Sequence, residues 1–350
     1  MARGQTRGSF EDLRREITIA GGGLAGLSLA TGLRLHGVPV TVLEAGNYPR
    51  HRVCGEFISG VTAETLTALG IAGAFEDAHR HRSLGWHEAG RLIHRDQLRT
   101  PALGISRYLL DERLRQLAVA SGVDVRTGVR ARPEPRDGLV WTAGRRPRNG
   151  RWIGLKAHVK NLPMAADLEM HAGKNGYAGL AGVEDGWTNV CGLFRLDRTL
   201  QASGEDLLTT YLEAGGNQQL AAALRAAEWR VGSFSAVAGF ELGRQEQVPG
   251  LLTLGDAESI IPPFTGNGMS MAFQAAECAI APLAAWSRGE QSWQDAANTV
   301  RAAVARRFQR RLAVAAMLHP LLLEAGGRSL LQSLARTRLL PFQPMLALIR

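Results

Sequence analysis

The residues from Glu16 to Glu44, EITIAGGGLAGLSLATGLRLHGVPVTVLE, constrain the chain more than any other stretch. A β-branched run (Ile17, Thr18, Ile19) leads into Gly21, Gly22, Gly23, Leu24, Ala25 and Gly26. A helix-like segment follows, and a second strand (Val40 to Leu43) ends on Glu44. Strand, glycine turn, helix, strand and acid in that order predict a unit that cradles a dinucleotide. Gly21 permits the tight turn, Gly23 lets the backbone approach a pyrophosphate, and Gly26 lets the helix lie close against the strand. Glu44, eighteen positions after Gly26, is placed to accept hydrogen bonds from an adenosine ribose while the helix N-terminus faces the diphosphate. Ala25 and Ala45 belong to the same cradle.

Composition bounds the rest. A chain of 350 residues, 45% hydrophobic, buries at least one large core and has material for two interleaved ones. Its 41 glycines suit an α/β protein rich in tight turns. Cys54, Cys191 and Cys278 are far apart and lack CxxC spacing, which supports neither a disulfide framework nor a zinc site and points to a reducing, cytoplasmic setting. Residues 1–15 hold no uninterrupted apolar segment and read as a flexible leader rather than a secretory signal. The strongest late apolar run, Leu312 to Leu323, is interrupted by His319 and Pro320, so no spanning helix is expected. Net charge is +9, and five arginines (Arg301, Arg306, Arg307, Arg310, Arg311) crowd one segment. Such a run is ordinarily a solvated helix face; it also suits an acidic carrier domain or peripheral contact with an anionic membrane at its inner face. No aromatic-basic array or reading helix is visible, so no nucleic-acid partner is expected. Four of the nine histidines fall between His79 and His94 with no acid at ligand spacing, and no metal site is expected.

Further along, Ala63 to Phe75 has helical spacing. Leu110, Leu114, Leu117 and Ala118 form a helical stripe that Gly122 stops, and Val123 to Val129 resumes as a strand. Leu139 to Thr142 is another strand, and both should join the sheet begun at Ile17. From Gly154 the texture becomes short alternating runs (GLKAHV, DLEMHA, GYAGLAGV, WTNVCGLFRL) with turns near Lys174 to Gly176 and Glu184 to Gly186, which predicts an antiparallel second domain. Residues 205–227 read as helical and Val231 to Phe240 as a returning strand. Leu251 to Leu254 forms a strand ending on Gly255 and Asp256, and Thr265 to Gly268 opens a helix. Asp256 can accept hydrogen bonds from a ribityl chain or ribose, and the amides after Pro263 can face a pyrophosphate or a flavin carbonyl. Beyond residue 290 the chain reads as helical, with Trp286 and Trp293 as packing residues.

Three signatures now stand in order: GGGLAG with Glu44, SRYLLDERL followed by Ala118 and Gly122, and GDAESIIPPFTGNG. Together they resemble the FAD-dependent superfamily of aromatic hydroxylases (group A flavin monooxygenases), flavin-dependent halogenases and geranylgeranyl reductases. The resemblance implies an α/β fold: a Rossmann-like FAD-binding domain with a parallel sheet, interrupted by an antiparallel-sheet substrate domain, plus C-terminal helices. The FAD-binding parts are expected at 16–82, 98–153 and 249–299, the substrate domain at 83–97 and 154–248, and the helical region at 300–350. By the same resemblance Arg107 helps hold the cofactor, Asp256 contacts the ribityl chain, and Pro263, Gly266, Gly268 and Met269 lie in the loop that approaches the isoalloxazine. No second glycine fingerprint is present, so NADPH or NADH is expected to bind transiently as electron donor.

The segment PRHRVCGEF resembles the reductase-like branch through Arg52, Cys54 and Gly55. A buried cysteine used only for packing is the plain alternative for Cys54. Candidate pocket residues are Cys54, Glu56, Phe57, His158, Met170, Tyr177 and Phe264, with Cys54, Glu56, His158 and Tyr177 as catalytic candidates. Lys156 is a further charged residue that the segment GLKAHV presents beside a flavin or a substrate carboxylate. The leading expectation is NAD(P)H-dependent monooxygenation of an apolar aromatic or polyene substrate through a flavin C4a-hydroperoxide. Saturation of a carbon–carbon double bond is the second, and a flavoprotein docking an acidic carrier the third.

Overall fold

The computed structural model describes residues 14–145, 149–337 and 339–349; of the expected leader, residues 1–13 lie outside the described residues. The chain opens with β1 (Ile17–Ala20), α1 (Leu24–Leu35), β2 (Val40–Glu44), β3 (Phe57–Ile58) and α2 (Ala63–Ala68). It continues with β4 (His79–Glu88), β5 (Arg91–Gly104), α3 (Arg107–Ala120), β6 (Asp124–Thr127) and β7 (Leu139–Trp141). The middle holds β8 (Trp152–Lys160), β9 (Leu168–Ala172), β10 (Gly176–Gly182), β11 (Thr188–Arg195), α4 (Asp206–Ala214) and α5 (Gln218–Ala226). Five short strands follow: β12 (Glu228–Trp229), β13 (Ser235–Phe240), β14 (Gly243–Arg244), β15 (Leu252–Thr253) and β16 (Ser259–Ile260). Last come α6 (Gly268–Ser287), α7 (Trp293–Leu323), α8 (Ala325–Arg336) and α9 (Phe342–Leu348).

Two sheets carry the architecture. The first is wholly parallel, in the order β15-β7-β1-β2-β6, so the chain segments on either side of the inserted domain meet in one sheet. The second runs β12-β8-β11-β10-β9-β4-β5-β3, with β13 also on β8. Its pairings are antiparallel except β4 with β9. The parallel sheet packs with α1, α3, α6 and α7 around Ile19, Leu27, Val42, Leu110, Phe273 and Val300. Ten of the twelve residues of α1 are buried, because the helix is covered on one side by the sheet and on the other by α6. A second core lies under α4 and α5, where Leu208, Tyr211, Leu220 and Leu224 cover Leu155, Ala157 and Phe194.

Local chemistry sets the element ends. Ser106 Oγ accepts from Leu109 N at 3.1 Å and Ser292 Oγ from Asp295 N at 3.1 Å, each capping an N-terminal turn of α3 or α7. The expected helix over 63–75 breaks after α2, where Gly70 takes φ 68°, and a 3₁₀ turn (Ala72–Phe75) replaces its second half. Likewise 205–227 divides into α4 and α5 at Gly215, Gly216 and Asn217, with Gly216 at φ 92°.

The sheet register also moves a boundary. β4 and β5 pair from His79↔Gly104 to Glu88↔Arg91, so the hairpin belongs to the antiparallel sheet from residue 79 to 104 rather than from 83 to 97. Among the described residues no helix is long and apolar enough to cross a membrane. The arginine run lies on α7 as expected but is partly spoken for. Arg307 pairs with Glu277 at 2.8 Å, Arg301 donates to the Leu251 carbonyl at 3.2 Å, and Arg311 is buried against Gln274 at 3.0 Å.

Candidate functional site

One cavity of about 1470 Å³ runs between the parallel sheet, the antiparallel sheet and the C-terminal helices. Its charged end is built by the glycine turn. Gly21 has φ 111°, and a Cβ there would stand 2.6 Å from Ala143 Cα, so the turn passes close under the loop after β7. A Cβ on Gly26 would lie 2.0 Å from the Gly21 carbonyl oxygen; only glycine lets α1 start this close to the strand. Gly23 is different, because the nearest atom to its Cβ position is Arg107 Nη2 at 4.0 Å. Its open side faces the cavity, and α1 begins there without a side-chain cap, leaving its first N–H groups to an anion.

Glu44 Oε2 accepts from Gly22 N at 2.8 Å, and Oε1 accepts from Gly46 N at 2.9 Å and Arg50 Nη2 at 2.7 Å. Burial acts to raise its pKa, but the Gly46 N–H, the Arg50 and Arg52 charges and the Gly22 N–H together hold it below the usual value. Behind it, Arg52 Nε meets Asp111 at 2.9 Å, and Arg107 grips the same carboxylate through Nε at 2.6 Å and Nη2 at 2.8 Å. Burial works against the Arg107 charge, yet Asp111 more than offsets it and raises the guanidinium pKa. Arg52 Nη2 and Arg50 Nε are buried without a hydrogen-bond partner, and a bound phosphate or ribose oxygen would satisfy such donors.

Across the cavity, Asp256 opens onto the same space. Desolvation by the surrounding walls raises its carboxyl pKa, against the pull of Arg145, Arg107 and Arg52. Ala25, Ala45, Pro263, Gly266, Gly268 and Met269 line the cavity or border it: all but Gly26 of the glycine-turn and loop positions expected to hold cofactor face it. Gly266 has φ 65° and lies against the Phe57 ring, 2.1 Å from where its Cβ would stand. Beyond it α6 starts on Asn267 with no side-chain cap. Two uncapped helix N-termini, the open Gly23 and the orphaned arginine nitrogens fit a dinucleotide cofactor with a diphosphate.

The catalytic candidates divide into two groups. Cys54 and Tyr177 line the cavity, as do Phe57, Met170 and Phe264. Burial raises the Cys54 thiol pKa, with Glu56 adding to it and Arg107 opposing, so the group is a thiol at neutral pH. Tyr177 Oη accepts from Phe264 N at 3.3 Å and lies 3.4 Å from His319 Nε2, which fixes the ring at the wall. Glu56, Lys156 and His158 are fully buried behind the wall and do not line it. Glu56 Oε1 is 3.2 Å from Lys156 Nζ, and Oε2 is 2.5 Å from His158 Nε2; Oε1 also accepts from Arg107 N at 2.9 Å. Lys156 is therefore not presented to flavin or substrate as its segment suggested; its Nζ donates to His51 Nδ1 at 3.0 Å.

His51 is the member of this network on the cavity wall. Burial, then the Lys156 and His158 charges, pushes its pKa down to about 4, which keeps Nδ1 an acceptor for the ammonium. Sequence reasoning missed His51, although it stands in the same PRHRVCGEF segment as Arg52 and Cys54. It also missed Arg145, which lines the cavity with its guanidinium 4.9 Å over the Phe240 ring. The far wall was missed as well. There Trp86, Leu331, Leu340, Phe342, Met345 and Leu346 meet from the antiparallel sheet, the last two helices and the connection between them.

Away from the charged end, Glu169 of β9 reaches the histidine-rich hairpin: it is 2.9 Å from His171 Nε2 and 3.7 Å from His87 Nδ1. The two rings stack in parallel, 4.3 Å apart with 4° between planes, so their in-plane lone pairs do not converge on one point as a metal would require.

Comparison with known proteins agrees with this geometry. Residues 14–151 match the family model of an FAD binding domain. No curated protein matches the sequence. Among solved structures, the chain is similar to pqsL, a probable FAD-dependent monooxygenase from Pseudomonas aeruginosa. The TM-score is 0.71 at 16% identity, over 90% of this chain and 99% of that one. It is similar also to the p-nitrophenol 4-monooxygenase PnpA from Pseudomonas putida, with a TM-score of 0.72 at 15% identity over 95% and 98% of the two chains. HpxO of Klebsiella pneumoniae, solved with FAD and uric acid, gives a TM-score of 0.72 at 18% identity over 95% and 96%. Residues 14–151 thus match an FAD binding domain, which makes FAD the cofactor, and the chain as a whole shares the fold of these three structures.

Proposed function

We propose that the protein is an FAD-dependent monooxygenase that draws electrons from NADPH or NADH and hydroxylates or epoxidises an apolar aromatic or polyene substrate. The observation that carries this reading is the single cavity joining the arginine-lined cofactor cradle to a wall of Trp86, Met170, Tyr177 and Phe264. When bound, FAD would supply the redox chemistry between the nicotinamide and molecular oxygen.

The chain's own residues bind, orient and exclude water. Glu44 is set to take the ribose, and the N–H groups of α1 with Arg52 the diphosphate. Asp256 would hold the ribityl chain, and the start of α6 would offer N–H groups to developing negative charge. The apolar wall keeps water from the reacting centre. His51, neutral and with its Nδ1 accepting from Lys156, carries its proton on Nε2 and is a hydrogen-bond donor there.

A second reading, reduction of a carbon–carbon double bond, is favoured by Cys54, which stands on the cavity wall as a thiol kept protonated by burial. Mass spectrometry on the product formed under ¹⁸O₂ separates them. One ¹⁸O atom in the product supports the oxygenase, whereas a gain of two hydrogens without label supports the reductase and overturns the first reading. Acidic carrier docking or membrane contact through α7 would rest on Arg306 and Arg310, which are exposed on it. Loss of salt-sensitive binding in an Arg306→Glu/Arg310→Glu variant is the expected sign, and binding left unchanged excludes that surface.

A further inference from the structure

The half of the cavity away from the cofactor cradle is walled mainly by apolar side chains. Leu84 with Leu168 and Trp86 with Met170 are register partners on β4 and β9, and all four line the cavity. Facing them are side chains from the C-terminal helices, among them Leu331 and Met345. Helix α9 has the sequence FQPMLAL; its Phe342, Met345 and Leu346 are half-buried, packed beside Trp86, Leu331 and Leu98, and line the cavity. The C-terminal helices are nevertheless fixed in place: Arg328 of α8 meets Glu88 at 3.3 Å, and Gln343 of α9 donates to the Gln97 carbonyl at 2.7 Å.

Most of the charge lies in the other half. The arginines and acids on the cavity wall come from the cofactor-binding end, with the exception of Glu169. That carboxylate is taken up by the Ala165 and Ala166 N–H groups and by His171. At about 1470 Å³ the whole cavity exceeds the roughly 300–1,000 Å³ of a site for one small ligand, as a site for two ligands must. A wall dominated by leucine and methionine, with the Glu169 carboxylate already paired and the Trp86 Nε1–H as a polar group beside them, fits a flexible aliphatic chain.

We propose that this half of the cavity holds a long hydrocarbon chain, so that the substrate is a lipid-tailed ring or alkene with its reactive head at the FAD end. The proposal rests on the monooxygenase reading for the position of the head and on the walls alone for the tail.

The test is a series of 4-alkylphenols from propyl to decyl, titrated into the FAD-loaded protein and followed by the visible absorbance of the bound cofactor. Burial of each added methylene should tighten binding about fourfold, from ~0.8 kcal/mol per CH₂, until the tail fills its half of the cavity. Leu346→Trp, which fills that half, should stop the tightening at a shorter chain, and Met345→Trp should do the same should the first variant fold poorly. Affinity that stays flat beyond propyl, or that rises equally in wild type and both variants, overturns the proposal. Failure of the protein to retain FAD would count against the monooxygenase reading instead, and the two failures are therefore distinct.

Discussion

Glu56 combines a left-handed backbone, φ 55°, with complete burial between Lys156 and His158. Because the ammonium has lost its water, the carboxylate is what makes its burial tolerable. Glu56→Gln is expected to cost about 3–5 kcal/mol in unfolding free energy, measured by denaturant titration at pH 7. Burial acts to raise the Glu56 pKa, but His158 and Lys156 hold it below the ordinary 4.5. Its contribution is thus present above that value and is lost as pH falls through the folded one. The gap between wild type and variant should close in acid; a gap that persists undiminished would contradict the assignment. At the cofactor cradle the expectation is different in kind. Gly23→Val would fill the open side toward the cavity and should weaken FAD retention more than tenfold, about 1.4 kcal/mol, with helical circular dichroism unchanged. Full occupancy would remove Gly23 from the phosphate site.

Elements that are local in sequence were legible, and those made by distant pairs were not. The glycine turn, Glu44, the capped start of α3 at Ser106 and Arg107, and Asp256 after β15 all announce themselves within a few residues of a strand or helix end. The Glu56–Lys156 pair joins positions 100 apart on a loop and on β8, so the same residues looked like separate catalytic candidates. The hairpin boundary failed for a related reason, since the pairing of β4 with β5 and β9 decides it and alternation within β4 is weak. Ser106 shows how one residue joins two elements: its Oγ caps α3, and its backbone N donates to Glu184 at 2.9 Å. Ser106→Ala should lower stability by about 1 kcal/mol, read as a lower denaturant midpoint with an unchanged slope. An unaltered midpoint would mean that the cap carries no net stabilisation.

For the whole molecule, three histidines on separate elements share one electrostatic condition. Burial holds His51, His81 and His319 down to about 4 from an ordinary 6.5. Each stays neutral in the folded protein where the unfolded chain binds a proton. Their contribution is complete above pH 6.5 and is lost as pH falls from there to about 4, up to ~3 kcal/mol for each deeply buried ring and less for half-buried His51. The thermal midpoint should fall over that window, and His81→Asn with His319→Gln should flatten the fall; an equally steep profile in the double variant would assign the acid sensitivity elsewhere. The arrangement of the molecule, two sheets and a helical roof around one cavity, makes the oxygen reaction the decisive observable. The FAD-loaded protein, reduced without oxygen in the presence of a bound 4-alkylphenol and mixed rapidly with oxygen, should pass through a transient absorbance distinct from both the reduced and oxidised spectra, with little peroxide released. Direct return to the oxidised spectrum with stoichiometric peroxide, from a protein shown to hold the phenol, would contradict the monooxygenase account.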